Sequence, residues 1–211
     1  MEASLEAAAT RAIEACQTEL LDLINNPQRR WESLDTKKGI VRSRLETGDG
    51  INIVRSSGTI NRPAQQVVDA LWDYSRKREW DKQCMASTLV QDFPSGVRVL
   101  YNAFKSPWPV ADRDFCFAMK IIRMGNHTLI PAINVVTPQC PAKDGFERGE
   151  MRASGFYVES LSDANTCRLT YVVNVDPKGL IPNMVTNKVQ EEQSMNVHKL
   201  RKFLGDREKR R

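Results

Sequence analysis

The side chains available for nucleophilic or metal chemistry are few. There are two histidines, His127 and His198, and five scattered cysteines: Cys16, Cys84, Cys116, Cys140 and Cys167. The cysteines are odd in number and never spaced C-x-x-C, which argues against a disulfide frame and against a zinc site. Several sit in apolar runs, where a reduced thiol acts as a small hydrophobe. No H-E-x-x-H, G-x-S-x-G, Walker or Rossmann glycine pattern occurs. Asp69, Asp114 and Glu150 are acids that could serve as general bases, but lone acids of this kind are ordinarily surface or ion-pair residues. No motif proposes a Cys–His pair. The chemistry points to a hydrophobic binding module, not an enzyme, with no metal and no cofactor.

One stretch is built for contact. In KSPWPVADRDF, Lys105 to Phe115, two prolines bracket Trp108 and Val110 follows. The prolines limit backbone freedom, so the tryptophan is held on a stiff tip just before the apolar run Phe115–Met119. Arg113 and Asp114 at the strand start read as a structural pair.

The elements that would position these residues follow from periodicity. Leu5, Ala9, Ala12/Ile13, Cys16, Leu20 and Leu23/Ile24 form one helical stripe over residues 4–24, ended by Asn25-Asn26-Pro27. Strands are expected over 31–36, 40–46 and 51–60, then a short helix opened by Pro63 and a charged segment, Ser75–Asp81. Further strands are expected near 84–91, 96–104, 113–124, 127–137, 146–160 and 166–176. A single helix from Pro182 to Leu204 would be about 33 Å long, enough to cross a sheet. Its apolar line is Val185, Val189, Val197, Leu200 and Leu204, interrupted by Gln193 and Asn196. Successive strands without βαβ alternation predict an α+β fold with one antiparallel sheet. The length of 211 residues fits one domain, 1–211, with a basic tail at 205–211.

Charge and targeting narrow the setting. Residues 199–211 hold seven basic residues against two acids, which equals the net charge of +5 of the whole chain. That suggests an anionic membrane surface as a transient partner; the plain alternative is a solvated helix end. Nucleic acid is not expected as a partner, because the basic residues come with no aromatic stacking platform. The acidic N-terminus resembles neither a secretory nor a mitochondrial signal, and no apolar run is long enough to span a bilayer. A cytoplasmic protein with peripheral membrane contact is expected.

Several blocks resemble the START (StAR-related lipid-transfer) family: VLYNAFKSPWPVADRDF (99–115), CPAKDGFERG (140–149), VDPKGLIPNMV (175–185) and VHKLRKFL (197–204). The run Arg76–Asp81 resembles the family's pre-strand motif. Four blocks in order, over about residues 31–204, make the resemblance specific, and it is nearest to the small single-domain members that bind sterols or bile acids. It implies a helix-grip fold, with a curved antiparallel sheet wrapped around a long C-terminal helix, and a tunnel that encloses one lipid for transport. It also implies that Pro107–Val110 is a loop near the tunnel mouth. Trp108, Pro109 and Val110 would then touch the bilayer or gate the tunnel, or Trp108 would pack inward as a lid.

Strand alternation places Phe115, Phe117 and Met119 on one face, and the resemblance puts Leu100, Asn102 and Phe104 inward. A one-residue shift of phase would expose Cys116 and Ala118 to the tunnel instead. The aromatic choline cage of some members has Asn102 at a matching position, with Phe115 able to supply only part of it. The buried acid–arginine pair of others has Leu100 or Asn102 and Met119. A sterol needs one hydrogen bond, which Asn102, Ser154, Gln193 or Asn196 could supply, with Val189 and Leu200 completing the wall. A sterol is therefore the favoured lipid, with phospholipid or ceramide as the alternative. A ligand sensor acting through a protein partner, and an enzyme of the wider helix-grip superfamily, are the competing classes.

Overall fold

The computed structural model describes residues 2–108 and 110–208. Pro109 and the last three residues of the basic tail, 209–211, lie outside the described residues. Helix α1 (Glu2–Asn25) precedes β1 (Glu32–Lys37), β2 (Ile40–Leu45) and β3 (Ile53–Ile60). Helix α2 (Ala64–Trp72), a 3-10 turn (Tyr74–Arg76) and α3 (Lys77–Trp80) lead into β4 (Cys84–Asp92), β5 (Arg98–Phe104) and β6 (Asp112–Met119). Then follow β7 (Ile122–Met124), β8 (His127–Asn134), β9 (Phe146–Arg148), β10 (Glu150–Met151), β11 (Ser154–Ser160), β12 (Cys167–Val173) and β13 (Val175–Asp176). The chain finishes with α4 (Asn183–Gln193) and α5 (Asn196–Glu208).

The main sheet runs β1-β2-β3-β12-β11-β8-β6-β5-β4, with β7 paired to β8 and β9 to β6. Neighbours are antiparallel except β6 and β9, which run parallel. Two expected strands are divided: 113–124 becomes β6 and β7, and 146–160 becomes β9, β10 and β11.

The sheet has two apolar faces, each claimed by a helix. Ala9, Ile13, Cys16, Leu20 and Leu23 of α1 are buried at helical spacing. They meet Val99, Tyr101, Cys116, Ala118, Leu129, Tyr157 and Val172 on the outer face. The opposite parity carries Leu100, Phe115, Phe117, Met119, Ile130, Val158 and Leu169, which cluster with Val197, Leu200 and Leu204 of α5.

The expected single C-terminal helix is two helices. Ser194 Oγ donates back to the Glu191 carbonyl (2.6 Å), and Met195 N–H bonds the Glu192 carbonyl, tightening the turn. A hydroxyl bonding its own preceding turn competes with the helical ladder. The run Gln-Ser-Met-Asn at 193–196 breaks there, and the axis can change direction.

Register fixes which loops share an end. Cys84 pairs with Phe104, and Phe104 with Arg113, so the start of β4, the 105–111 loop and the start of β6 lie together. Val54 pairs with Val173, and Gly155 with Val172 and Pro131. This brings the 46–52 turn, the 135–153 segment and the 174–182 segment to that same end. The 38–39 and 161–166 turns mark the other.

Candidate functional site

The candidate site is the inner face of the sheet, against which α5 packs. Asn102 pairs across the sheet with Phe115, and Leu100 with Phe117, so these side chains share the inner face. Phe104 meets Phe115 edge to face, with centroids 5.9 Å apart. On β11 and β12, Phe156 stacks on Tyr171 at 4.3 Å. Gly149 makes room for Phe115, since a Cβ there would lie 2.3 Å from the ring.

Polar groups interrupt this wall. Asn102 Oδ1, Asn196 Oδ1, Ser56 Oγ and Gln190 Nε2 are buried without a protein hydrogen-bond partner. Asn196 Nδ2 donates to Gln193 Oε1 (3.0 Å), and Gln193 Nε2 donates to Gln83 Oε1 (2.6 Å). This amide relay ties the helix break to the start of β4. Burial raises the Tyr171 hydroxyl pKa and the charge of Asp81 adds to the effect, while a hydrogen bond from Asn196 opposes both.

An ionic cluster lies beside this face. Asp81 follows α3 and is 0% exposed. Its Oδ1 accepts from Lys199 Nζ at 3.1 Å, and Lys77 Nζ lies 3.6 Å from its Oδ2. Burial pushes the Asp81 carboxyl up, but Lys77, Lys199 and the Gln83 amide outweigh burial and hold it below the usual range. Lys77 Nζ also sits over the rings of Trp80 (4.4 Å) and Phe104 (5.8 Å). The cluster therefore lies against the inner face.

The end of the sheet that carries the 46–52 turn is held by a second set of bonds. Asn183 Nδ2 donates to the Asp49 carbonyl (3.2 Å) and Asn187 Nδ2 to the Gly50 carbonyl (3.1 Å). Asn187 Oδ1 accepts from Asn52 N–H (2.8 Å). These neutral bonds clasp α4 to the 46–52 turn. Arg113 and Asp114 are not a pair with each other. Arg113 donates to the Pro177 and Lys178 carbonyls (3.0 and 3.1 Å). Asp114 accepts a bidentate pair from Arg148 (2.8 and 3.1 Å). The 105–111 loop closes through Asp112, which accepts from Lys105 Nζ and Ser106 N–H. Trp108 at its tip is 93% exposed, so the inward lid is overturned: no inner-face contact holds the ring. Val110 is half-buried. Leu180 and Met184 are exposed at the same end.

Leu100, Asn102, Phe104, Phe115, Phe117 and Met119 all stand on the inner face, together with Asn196 and Leu200. Other expected residues stand differently. Ser154 is committed to the backbone: its hydroxyl donates to the Asn174 carbonyl (3.0 Å) and accepts from the Asn174 N–H (2.9 Å). Gln193 is spent on the amide relay. Val189 is half-buried, and the buried line of α4 is Thr186 and Gln190 instead. Thr186 and Gln190 carry no signal in the sequence, because an apolar stripe marks a buried helix face only where that face is apolar. Asp81, Lys77 and Lys199 carry none either. A charged segment shows no inward signal when its partner is 118 residues away. Near Leu204, α5 reaches the end opposite Trp108. There Arg62 Nη2 donates to the Leu204 carbonyl (3.1 Å), and Arg201 Nη2 bonds the Lys38 carbonyl.

A curved antiparallel sheet that wraps its apolar concave face around a C-terminal helix, with α1 on its back, defines a helix-grip protein. The START domain profile matches residues 11–210, and the chain belongs to that family. Human StAR-related lipid transfer protein 5 is similar in structure, with TM-score 0.85, 20% identity, and coverage of 93% of this chain and 96% of that one. Human STARD10 follows at TM-score 0.77 and 20% identity, covering 90% of this chain and 77% of that one. In sequence, human START domain-containing protein 10 is 27% identical over 126 residues, 60% of this chain. The match spans 43% of that relative's length, less than half.

Proposed function

We propose that this protein encloses one lipid between its sheet and α4–α5 and carries it between membranes, and that the lipid is a sterol. One observation carries the reading: a continuous apolar inner wall is interrupted by buried amide oxygens, on Asn102 and Asn196, that no protein donor meets. Leaving such a group unmet costs about 1–3 kcal/mol. A ligand with an apolar body and a hydroxyl would meet it and remove its own apolar surface from water, at roughly 25 cal/mol per Å². The name of the first structural relative, a lipid transfer protein, supports the general reading. Asn102 in place of an aromatic cage argues against a choline head group. The second reading is ceramide, favoured by there being more than one unmet acceptor. A phospholipid is the remaining outcome.

In this reading the protein is a carrier and not a catalyst. It works in the cytoplasm, where its five free, buried cysteines stay reduced. Trp108 and Val110 touch the bilayer during loading, and basic residues near the end of α5 draw the protein to anionic surfaces. Native mass spectrometry after incubation with liposomes of cholesterol, phosphatidylcholine and ceramide tests it. A one-to-one sterol adduct is expected. A ceramide or phospholipid adduct would replace the ligand and keep the carrier. No adduct would remove the carrier reading.

A further inference from the structure

We propose that Cys116 and Cys140 form an oxidisable pair: a hydroperoxide oxidises Cys140, Cys116 closes on it, and the resulting disulfide fastens the 135–149 segment to β6. The inference goes beyond the lipid-carrier reading and does not depend on it.

The pair is made by the fold, since no C-x-x-C spacing announces it. Val135 N–H donates to the Cys116 carbonyl (3.1 Å), which lays the chain after β8 along β6. Cys140 N–H then donates to the Thr137 carbonyl (3.0 Å), which turns the chain back. Both cysteines enter one apolar cluster on the outer face with Tyr101, Ala118 and Val135. There the Cys116 thiol hydrogen-bonds to the Cys140 side chain. The other cysteines stand apart. Cys16 and Cys84 point their thiols at backbone carbonyls (3.5 and 3.2 Å), and Cys167 belongs to the inner-face cluster.

The surroundings give the two sulfurs different roles. Arg148 Nη2 lies 4.0 Å from Cys140 Sγ, and Arg148 Nη1 donates to the Cys140 carbonyl (3.1 Å). A cation beside a sulfur favours the thiolate, which is the form that attacks a peroxide. Asp114 shares this guanidinium and tempers its field. Cys140 lies in the irregular segment between β8 and β9, with exposed Gln139 and Pro141 on either side. Cys116 is inside β6 and 1% exposed. Burial first, and then its bond to Cys140, push the Cys116 thiol pKa far up. Cys116 therefore keeps its proton and suits the second step, not the first.

The two steps balance. Cys140 sulfur attacks one peroxide oxygen, the O–O bond breaks, and Cys140 becomes a sulfenic acid as water or an alcohol leaves. Cys116 sulfur then attacks Cys140 sulfur and the S–OH bond breaks. The hydroxyl takes the Cys116 proton and leaves as water. The two thiols give up two electrons and the hydroperoxide accepts them. In a reducing compartment the pair rests as thiols, and such a disulfide is transient. Its effect falls on the Trp108 end. Asp112 closes the 105–111 loop, and β9 pairs with Asp112–Asp114. Oxidation adds a covalent tie between β6 and the segment that leads into β9.

The test treats the folded full chain with hydrogen peroxide. Free thiols are expected to fall from five to three. A non-reducing peptide map should show Cys116 joined to Cys140 within one chain, and dithiothreitol should restore both thiols. In Cys116→Ser, dimedone should capture Cys140 as its sulfenic acid; in Cys140→Ser, Cys116 should stay a thiol. No loss of thiols from the folded protein overturns the proposal, as does a disulfide between other cysteines or between chains. A Cys116–Cys140 bond that forms only after unfolding in urea overturns it too. Dimedone capture of Cys116 in Cys140→Ser overturns the assignment of roles. If a variant does not fold, the wild-type peptide map decides the pair, and dimedone on Cys116 instead of Cys140 in that map overturns the roles.

Discussion

Replacing Gly149 with alanine should destabilise the protein through a single aromatic ring. The added Cβ would lie 2.3 Å from Cε1 and 2.7 Å from Cζ of Phe115, where ordinary contact begins near 3.4 Å. The ring must retreat by about 1 Å, and it can move only into the interior it lines. Gly149 does not sit at positive φ, so the backbone itself tolerates alanine. Loss of glycine freedom in the unfolded chain would then favour the variant by about 0.4–1 kcal/mol. Overpacking costs about 1–3 kcal/mol and wins. The net effect is a loss of about 1–2 kcal/mol, with Tm falling about 2–4 °C per kcal/mol for a chain of this size. Thermal and urea unfolding of Gly149→Ala, Phe115→Leu and the double variant would read it. The two changes should compensate, with a coupling of about 1 kcal/mol or more, because the smaller side chain vacates the space the methyl needs. Additive energies, or a Gly149→Ala protein as stable as the wild type, would refute the reasoning.

Other outcomes follow from the same contacts. Arg148→Met leaves Asp114, 1% exposed, without its bidentate partner; a loss of about 3–5 kcal/mol in urea unfolding is expected. Trp108→Ala removes an exposed ring, so stability should stay within about 0.5 kcal/mol while liposome binding and lipid transfer fall. Unchanged transfer would exclude the bilayer role. The depressed carboxyl of Asp81 contributes stability that is fully present above its unfolded value of about 3.9. That contribution is lost as pH falls through the lower folded value, and Lys199→Met should move the loss to higher pH in acid titrations of unfolding. Binding to anionic liposomes should weaken strongly as salt rises, and salt-independent binding would remove the basic residues from that role.

What the sequence makes legible is local. The α1 stripe and the alternation of Phe115, Phe117 and Met119 follow from periodicities that burial imposes on neighbours in the chain. The hairpin turns announce themselves through Lys38-Gly39 and Gly125-Asn126, where both glycines take positive φ. What is not legible depends on residues distant in sequence. The parallel β6–β9 pair, the Asp81–Lys199 bridge and the relay through Gln83, Gln193 and Asn196 have no repeating signature. Val189 misleads for a physical reason: the buried face of α4 is polar, carried by Thr186 and Gln190, so the valine beside Gln190 is only half-buried.

The separation of the two ends also gives the molecule a direction. Its net charge resides from Lys199 onward, and α5 runs to the pole away from Trp108. Lys38, Arg201 and Lys202 crowd that pole enough that, after burial, they further depress the His198 pKa. The proposed bilayer contact at Trp108 and this basic pole lie at opposite ends of the sheet, and one flat surface cannot hold both at once. An approach steered by the basic pole would have to be followed by a turn before the tryptophan met the bilayer, so anionic lipid and salt would change binding and transfer in different proportions.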